Sequence, residues 1–155
     1  MSGKRFRYAL EPVLLTRKWN LDTLMRSLSD QNAAIAEHGK AEAALQHTFD
    51  GAAADWQATM AAGGNQSVDQ FVRSTRYLDD LSLQLREHAA RSAEMAALRD
   101  ELIGHITMAQ RGVEAVEEHR DDMHSQFVQQ RLSSDFKVAD DQWNTLQSGA
   151  SVNGN

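Results

Sequence analysis

In the run "EEHRDDMH", His119 stands three residues from Asp122 and next to Glu118. That is a spacing at which an imidazole and carboxylates on one helix can share a divalent cation. The same letters also make ion pairs between residues three or four apart on a solvated face, and that reading needs no metal. His38, Glu42 and His88 are the other residues suited to proton chemistry. They fall on apolar helical rows, where they read as polar members of a helix interface rather than as catalysts. The chain has no cysteine, which removes thiolate nucleophiles, thiolate metal sites and disulfides. It also has no glycine-rich phosphate loop behind a strand and no G-x-S-x-G elbow. No catalytic, cofactor-binding or metal site is expected, and the chain does not read as an enzyme.

The elements that carry these residues are helical. One proline, 6% aromatic residues and no run of alternating β-branched residues leave strands without support. From Leu14 a heptad row runs through Leu21, Leu28, Ile35, Glu42, Phe49 and Trp56, joined by Arg17, Leu24, Gln31, His38, Leu45, Ala52 and Thr59. These are the a and d positions of a coiled-coil seam. A second pair of rows holds Phe71, Leu78, Leu85, Ser92, Arg99, Ile106, Val113, Arg120 and Phe127, with Ser74, Leu81, His88, Met95, Leu102, Ala109, Val116 and Met123. Pro12 suits a first helical turn, where its missing N–H leaves nothing unpaired. Gly63 and Gly64 suit a stop, and Ser67 with Gln70 a new start.

The expectation is an all-α fold: a long antiparallel two-helix coiled-coil hairpin over 11–132, with helices 11–62 and 68–132 and a turn at 63–67. At about 1.5 Å per residue these helices would measure about 75 Å and about 100 Å. A basic extension, 1–10, precedes the hairpin. Residues 133–147, carrying Phe136, Val138, Trp143 and Leu146, read either as a short helix or as a continuation of the second one, and 148–155 as a disordered tail.

With the turn centred on Asn65, facing residues have numbers adding to about 130. Leu28 then meets Leu102, Trp56 meets Ser74 and Phe71 meets Thr59. Glu42 falls opposite His88, His38 opposite Ser92 and Gln31 opposite Arg99, giving three polar layers. By the same register Met123, Phe127 and Leu132 outrun the first helix and need other cover, which the segment from Ser133 to Gln147 could supply.

Charge divides along the chain. Residues 1–31 hold six basic side chains against three acidic ones, and the net charge is −6. An acidic chain is a poor nucleic-acid ligand, so no nucleic-acid partner is expected. No apolar run approaches the roughly 20 residues of a membrane span, and a cytosolic location follows as an expectation. Leu15 and Trp19 fall at b and f positions, turned away from the seam, with Arg7, Arg17 and Lys18 nearby. Either the C-terminal segment folds over them or a protein partner does.

The stretch "FRYALEPVLLTRKWNLDTLMRSLSDQNAAI" resembles the N-terminal pattern of the FliJ/YscO family, the stalk proteins of flagellar and virulence type III export machinery. The likeness consists of a Phe-x-x-x-Leu-x-Pro-x-Leu start followed by an arginine, a hairpin of this length, a glycine-containing turn and "DQFV" just after it. The resemblance implies a non-enzymatic stalk, peripheral to the inner-membrane export machinery, with partners in the hexameric export ATPase, the cytoplasmic ring of the export gate and export chaperones. It would place the ATPase at the helix termini, near Arg7, Leu15, Arg17, Lys18, Trp19, Met123 and Phe127. The gate would sit at Phe71, with Leu78 in place of the apolar residue the flagellar pattern has where this chain has Thr75. A structural coiled-coil adaptor or homodimer unrelated to export is the alternative.

Overall fold

The computed structural model describes residues 3–64 and 66–152. The fold is all-α, built from two long helices that pack against each other: α1, Glu11–Ala61, and α2, Val68–Val152. Among the described residues there is no strand, and no helix is long and apolar enough to cross a membrane.

Local chemistry accounts for the boundaries. Pro12 sits in the first turn of α1, and the amide of Leu14 already donates to the carbonyl of Leu10 at 3.0 Å. At the other end Gly63 takes the left-handed conformation, φ 63°, that a non-glycine residue adopts only at a cost, and its amide closes on Met60. Asn65, on which the expected turn was centred, lies outside the described residues. The hydroxyl of Ser67 accepts the amide of Gln70 at 3.2 Å, which caps α2.

The chain forms two compact units. In the first, residues 1–21 and 108–155, the core is Leu14 and Val113, at 1% and 7% exposure. Of its heptad rows Leu21, Ala109, Val116 and Phe127 are half-buried while Arg17, Arg120 and Met123 are exposed, and at Phe127 cover comes from an unexpected side. Residues 3–8 are neither helix nor strand, and Phe6 stands edge-on to His124 at 5.0 Å and tilted on Phe127 at 5.6 Å. The Tyr8 hydroxyl lies 2.7 Å from His119 Nδ1. The N-terminal extension is therefore a strap along α2, and the segment after Leu132 does not cover Phe127. Burial alternates along the strap: Phe6 and Tyr8 are half-buried, while Arg5 and Arg7 are exposed.

Residues 133–147 continue α2, and the tail expected from 148 gives way to helix as far as Val152, with residues 153–155 outside the described set. No proline interrupts this stretch. The hydroxyls of Thr145 and Ser148 bond back to the carbonyls of Asp141 and Asn144, four residues earlier, so polar side chains are satisfied along the helix itself.

In the second unit, residues 22–107, Leu81, Met95 and Ile106 are buried, and the a and d rows are buried or half-buried except at Thr59 and Phe71. The register is as expected, but the polar layers pair on the diagonal. His38 stacks on His88, centroids 4.9 Å apart and 19° between planes, and its Nε2 donates to the His88 carbonyl at 2.9 Å. Glu42 accepts from the hydroxyl of Ser92 at 2.8 Å, and Gln31 donates to the carbonyl of Met95 rather than meeting Arg99, which pairs with Asp100. A residue in an antiparallel seam has neighbours on the facing helix on either side of its direct partner. Long polar side chains choose the one that offers a matching group: a hydroxyl for the carboxylate, a carbonyl and a flat ring for the imidazole.

Candidate functional site

The residues singled out from the sequence divide between the two units. Arg7, Leu15, Arg17, Lys18, Trp19, Met123 and Phe127 belong to the first, and Phe71 and Leu78 to the second.

In the first unit, Leu15 and Trp19, about 100° and about 140° around α1 from Leu14, are 59% and 69% exposed. They are four residues apart, hence one above the other on the helix surface. The cations beside them are already engaged. Arg17 sends Nη1 to the carbonyl of Gly112 at 3.1 Å, and Lys18 pairs with Glu117 at 3.1 Å. Gly112 makes the first contact possible, since a Cβ there would stand 3.0 Å from the Arg17 nitrogen. Arg120 and Glu11 add a third bridge at 3.3 Å. Arg17 and Lys18, expected as charges for a partner, also tie α1 to α2 within this unit.

Free basic character belongs instead to the strap. Lys4, Arg5, Phe6 and Arg7 line a groove with Met123, Gln126, Phe127 and Gln130, so the structure does bring together Arg7, Met123 and Phe127. Phe6 on His124 and Tyr8 on His119 fasten the strap beside this groove, pairings that the sequence does not announce. His119 is occupied by Tyr8, and no group of three or more His, Asp or Glu side chains among the described residues is arranged to hold a metal ion.

In the second unit Phe71 lies against Trp56, centroids 5.0 Å apart, instead of against Thr59 alone. It remains 42% exposed because it stands one turn inside α2, where α1 is ending. Leu78 is half-buried and borders a groove with Trp56, Ser74 and Tyr77.

What these geometries can do is bind protein: exposed aromatic and aliphatic side chains beside cations on a helical frame are the chemistry of interface anchors. No family model, no curated protein and no solved structure matches this chain.

Proposed function

We propose that the protein is a non-enzymatic stalk of a type III protein export apparatus, acting in the cytoplasm at the inner-membrane machinery. It would bind the hexameric export ATPase and the export gate and couple ATP hydrolysis to export, with export chaperones as further partners. The observation that carries this reading is the first unit. Its motif residues Phe6, Leu10, Pro12 and Leu14 organise a helix start that keeps Leu14 inside and turns Leu15 and Trp19 out. The likeness to the FliJ/YscO pattern attaches an ATPase to that surface, and Phe71, partly exposed in the second unit, is the gate contact by the same likeness.

The test is to add the full chain to a type III export ATPase and follow hexamer formation and hydrolysis. Stimulation is expected, together with weaker binding by the Leu15→Ala/Trp19→Ala variant at unchanged helicity. Phe71→Ala should lower affinity for the gate's cytoplasmic ring and spare ATPase binding. Absence of any binding to the ATPase would refute the proposal and leave the structural coiled-coil adaptor.

A further inference from the structure

Beyond Phe127 the rows that face α1 and the strap turn polar: Gln130, Ser134, Lys137, Asp141 and Asn144 follow in the same heptad positions. A new apolar row begins as that one fades. Leu132, Phe136, Ala139, Trp143, Leu146 and Ala150 are spaced four, three, four, three and four residues apart, the a and d rhythm of a second seam. Its positions are displaced from the first by two residues. Two residues turn a helix by about 200°, so the new row lies on the far side of α2 from the first seam. Leu132, Phe136, Trp143 and Leu146 are each more than half exposed, and every residue from Val128 to Val152 is exposed.

The flanks of this seam are acidic. With Phe136 and Trp143 at a, Asp135 takes a g position and Asp140 an e position, Asp141 lies beside them, and Lys137 is the only cation from Leu132 onward. Flanking e and g charges select partner and orientation in helix pairs. A second copy is disfavoured in both orientations. In a parallel pair Asp135 of one copy falls opposite Asp140 of the other, and in a centred antiparallel pair Asp140 falls opposite itself. Like charges at these positions oppose pairing.

We infer that residues 132–150 are a docking seam for an amphipathic helix of another protein, one with an apolar stripe and basic flanks. The seam is independent of the export reading, because it rests on heptad spacing, exposure and flanking charge alone. Phe136 and Trp143 are its anchors, and Asp135 and Asp140 set the sign of the partner.

The experiment uses the full chain and two labelled helical peptides of three heptads, each with leucine at a and d, one with lysine and the other with glutamate at e and g. Fluorescence anisotropy should show the lysine peptide binding about tenfold more tightly at low salt, with the preference shrinking as salt rises. Trp143→Ala should weaken lysine-peptide binding about tenfold with circular dichroism unchanged, since the side chain is exposed in the free chain. Asp135→Asn/Asp140→Asn should abolish the preference between peptides. Equal binding of both peptides, indifference to Trp143→Ala, or a dimer of the free chain in sedimentation that Trp143→Ala dissolves would each overturn the inference.

Discussion

The two units use the same two helices and hold them together by different means. In residues 1–21 with 108–155, contacts between segments are mostly ionic or aromatic, Lys18 with Glu117, Arg120 with Glu11 and Phe6 on Phe127, beside the bond from Arg17 to the Gly112 carbonyl and that of Tyr8 to His119. In residues 22–107 they are side chains reaching backbone carbonyls and one another through the seam, with His38 on His88 and Glu42 on Ser92. Ion pairs left half in water contribute little and are screened by salt, whereas a polar layer inside a seam specifies register at some cost in stability. The first unit is therefore stabilised by its few apolar residues and its strap, and the second by leucine layers that its polar layers keep aligned.

The largest effect should come from the smallest core. Leu14 is 1% exposed and its neighbour Leu15 is 59% exposed. Leu14→Ala should cost about 3 kcal/mol and Leu15→Ala less than about 0.5 kcal/mol in urea unfolding. Hydrogen exchange then sharpens the comparison: loss of protection confined to residues near Leu14 and Val113 would show the first unit opening by itself, whereas loss along the whole chain would make the two units one cooperative block.

A second change tests the polar layers. His38→Leu/His88→Leu removes a stacked pair whose His88 Nδ1 is buried without a partner, and puts apolar atoms at two seam positions. The lost bond to the His88 carbonyl is worth about 1 kcal/mol, and burying two leucines contributes about as much or more. Stability should rise by about 1 kcal/mol, read as a higher denaturation midpoint at unchanged slope. A fall would mean that the imidazole layer is favourable in itself and that the contrast between the units is wrong.

Periodicity makes the helical hairpin legible in the sequence, because a heptad row needs only residue types at fixed spacing, and Pro12 and Gly63 mark the ends for reasons internal to one residue. What escaped was side-chain choice among near-equivalent neighbours. Nothing in the letters tells whether Glu42 takes His88 or Ser92, since both lie within reach of one seam position. The strap escaped for another reason: Phe6 and Tyr8 precede the helix, and six residues outside any helix or strand carry too little pattern to announce what they cover. Arg17 and Lys18 were legible as charges but not as cross-helix bonds, because Gly112, which lets Arg17 approach the backbone, reads in the sequence only as a weak spot in a helix. Arg17 and Lys18 thus gain a role as ties between the helices, while Leu15 and Trp19 stand exposed.

Gly112 also supplies the finest comparison, with Gly39 and Gly104 of the second unit as controls. All three lie in helix interiors, where alanine is more favourable than glycine by about 1 kcal/mol. A Cβ at Gly39 or Gly104 meets nothing within 4 Å, so Gly39→Ala and Gly104→Ala should each stabilise by about that amount. At Gly112 the added methyl stands 3.0 Å from Arg17 Nη1, the far end of a flexible side chain, so the guanidinium can swing away at the expense of its bond to the Gly112 carbonyl. The helical gain and the lost bond are of similar size, and Gly112→Ala should leave stability within about 0.5 kcal/mol of the parent. The Arg17→Ala background separates the two contributions: with the guanidinium gone, Gly112→Ala should recover the full stabilisation seen at Gly39 and Gly104. If instead Gly112→Ala stabilises equally with and without Arg17, the cross-helix bond contributes nothing, and the first unit rests on Leu14, Val113 and the aromatic strap alone.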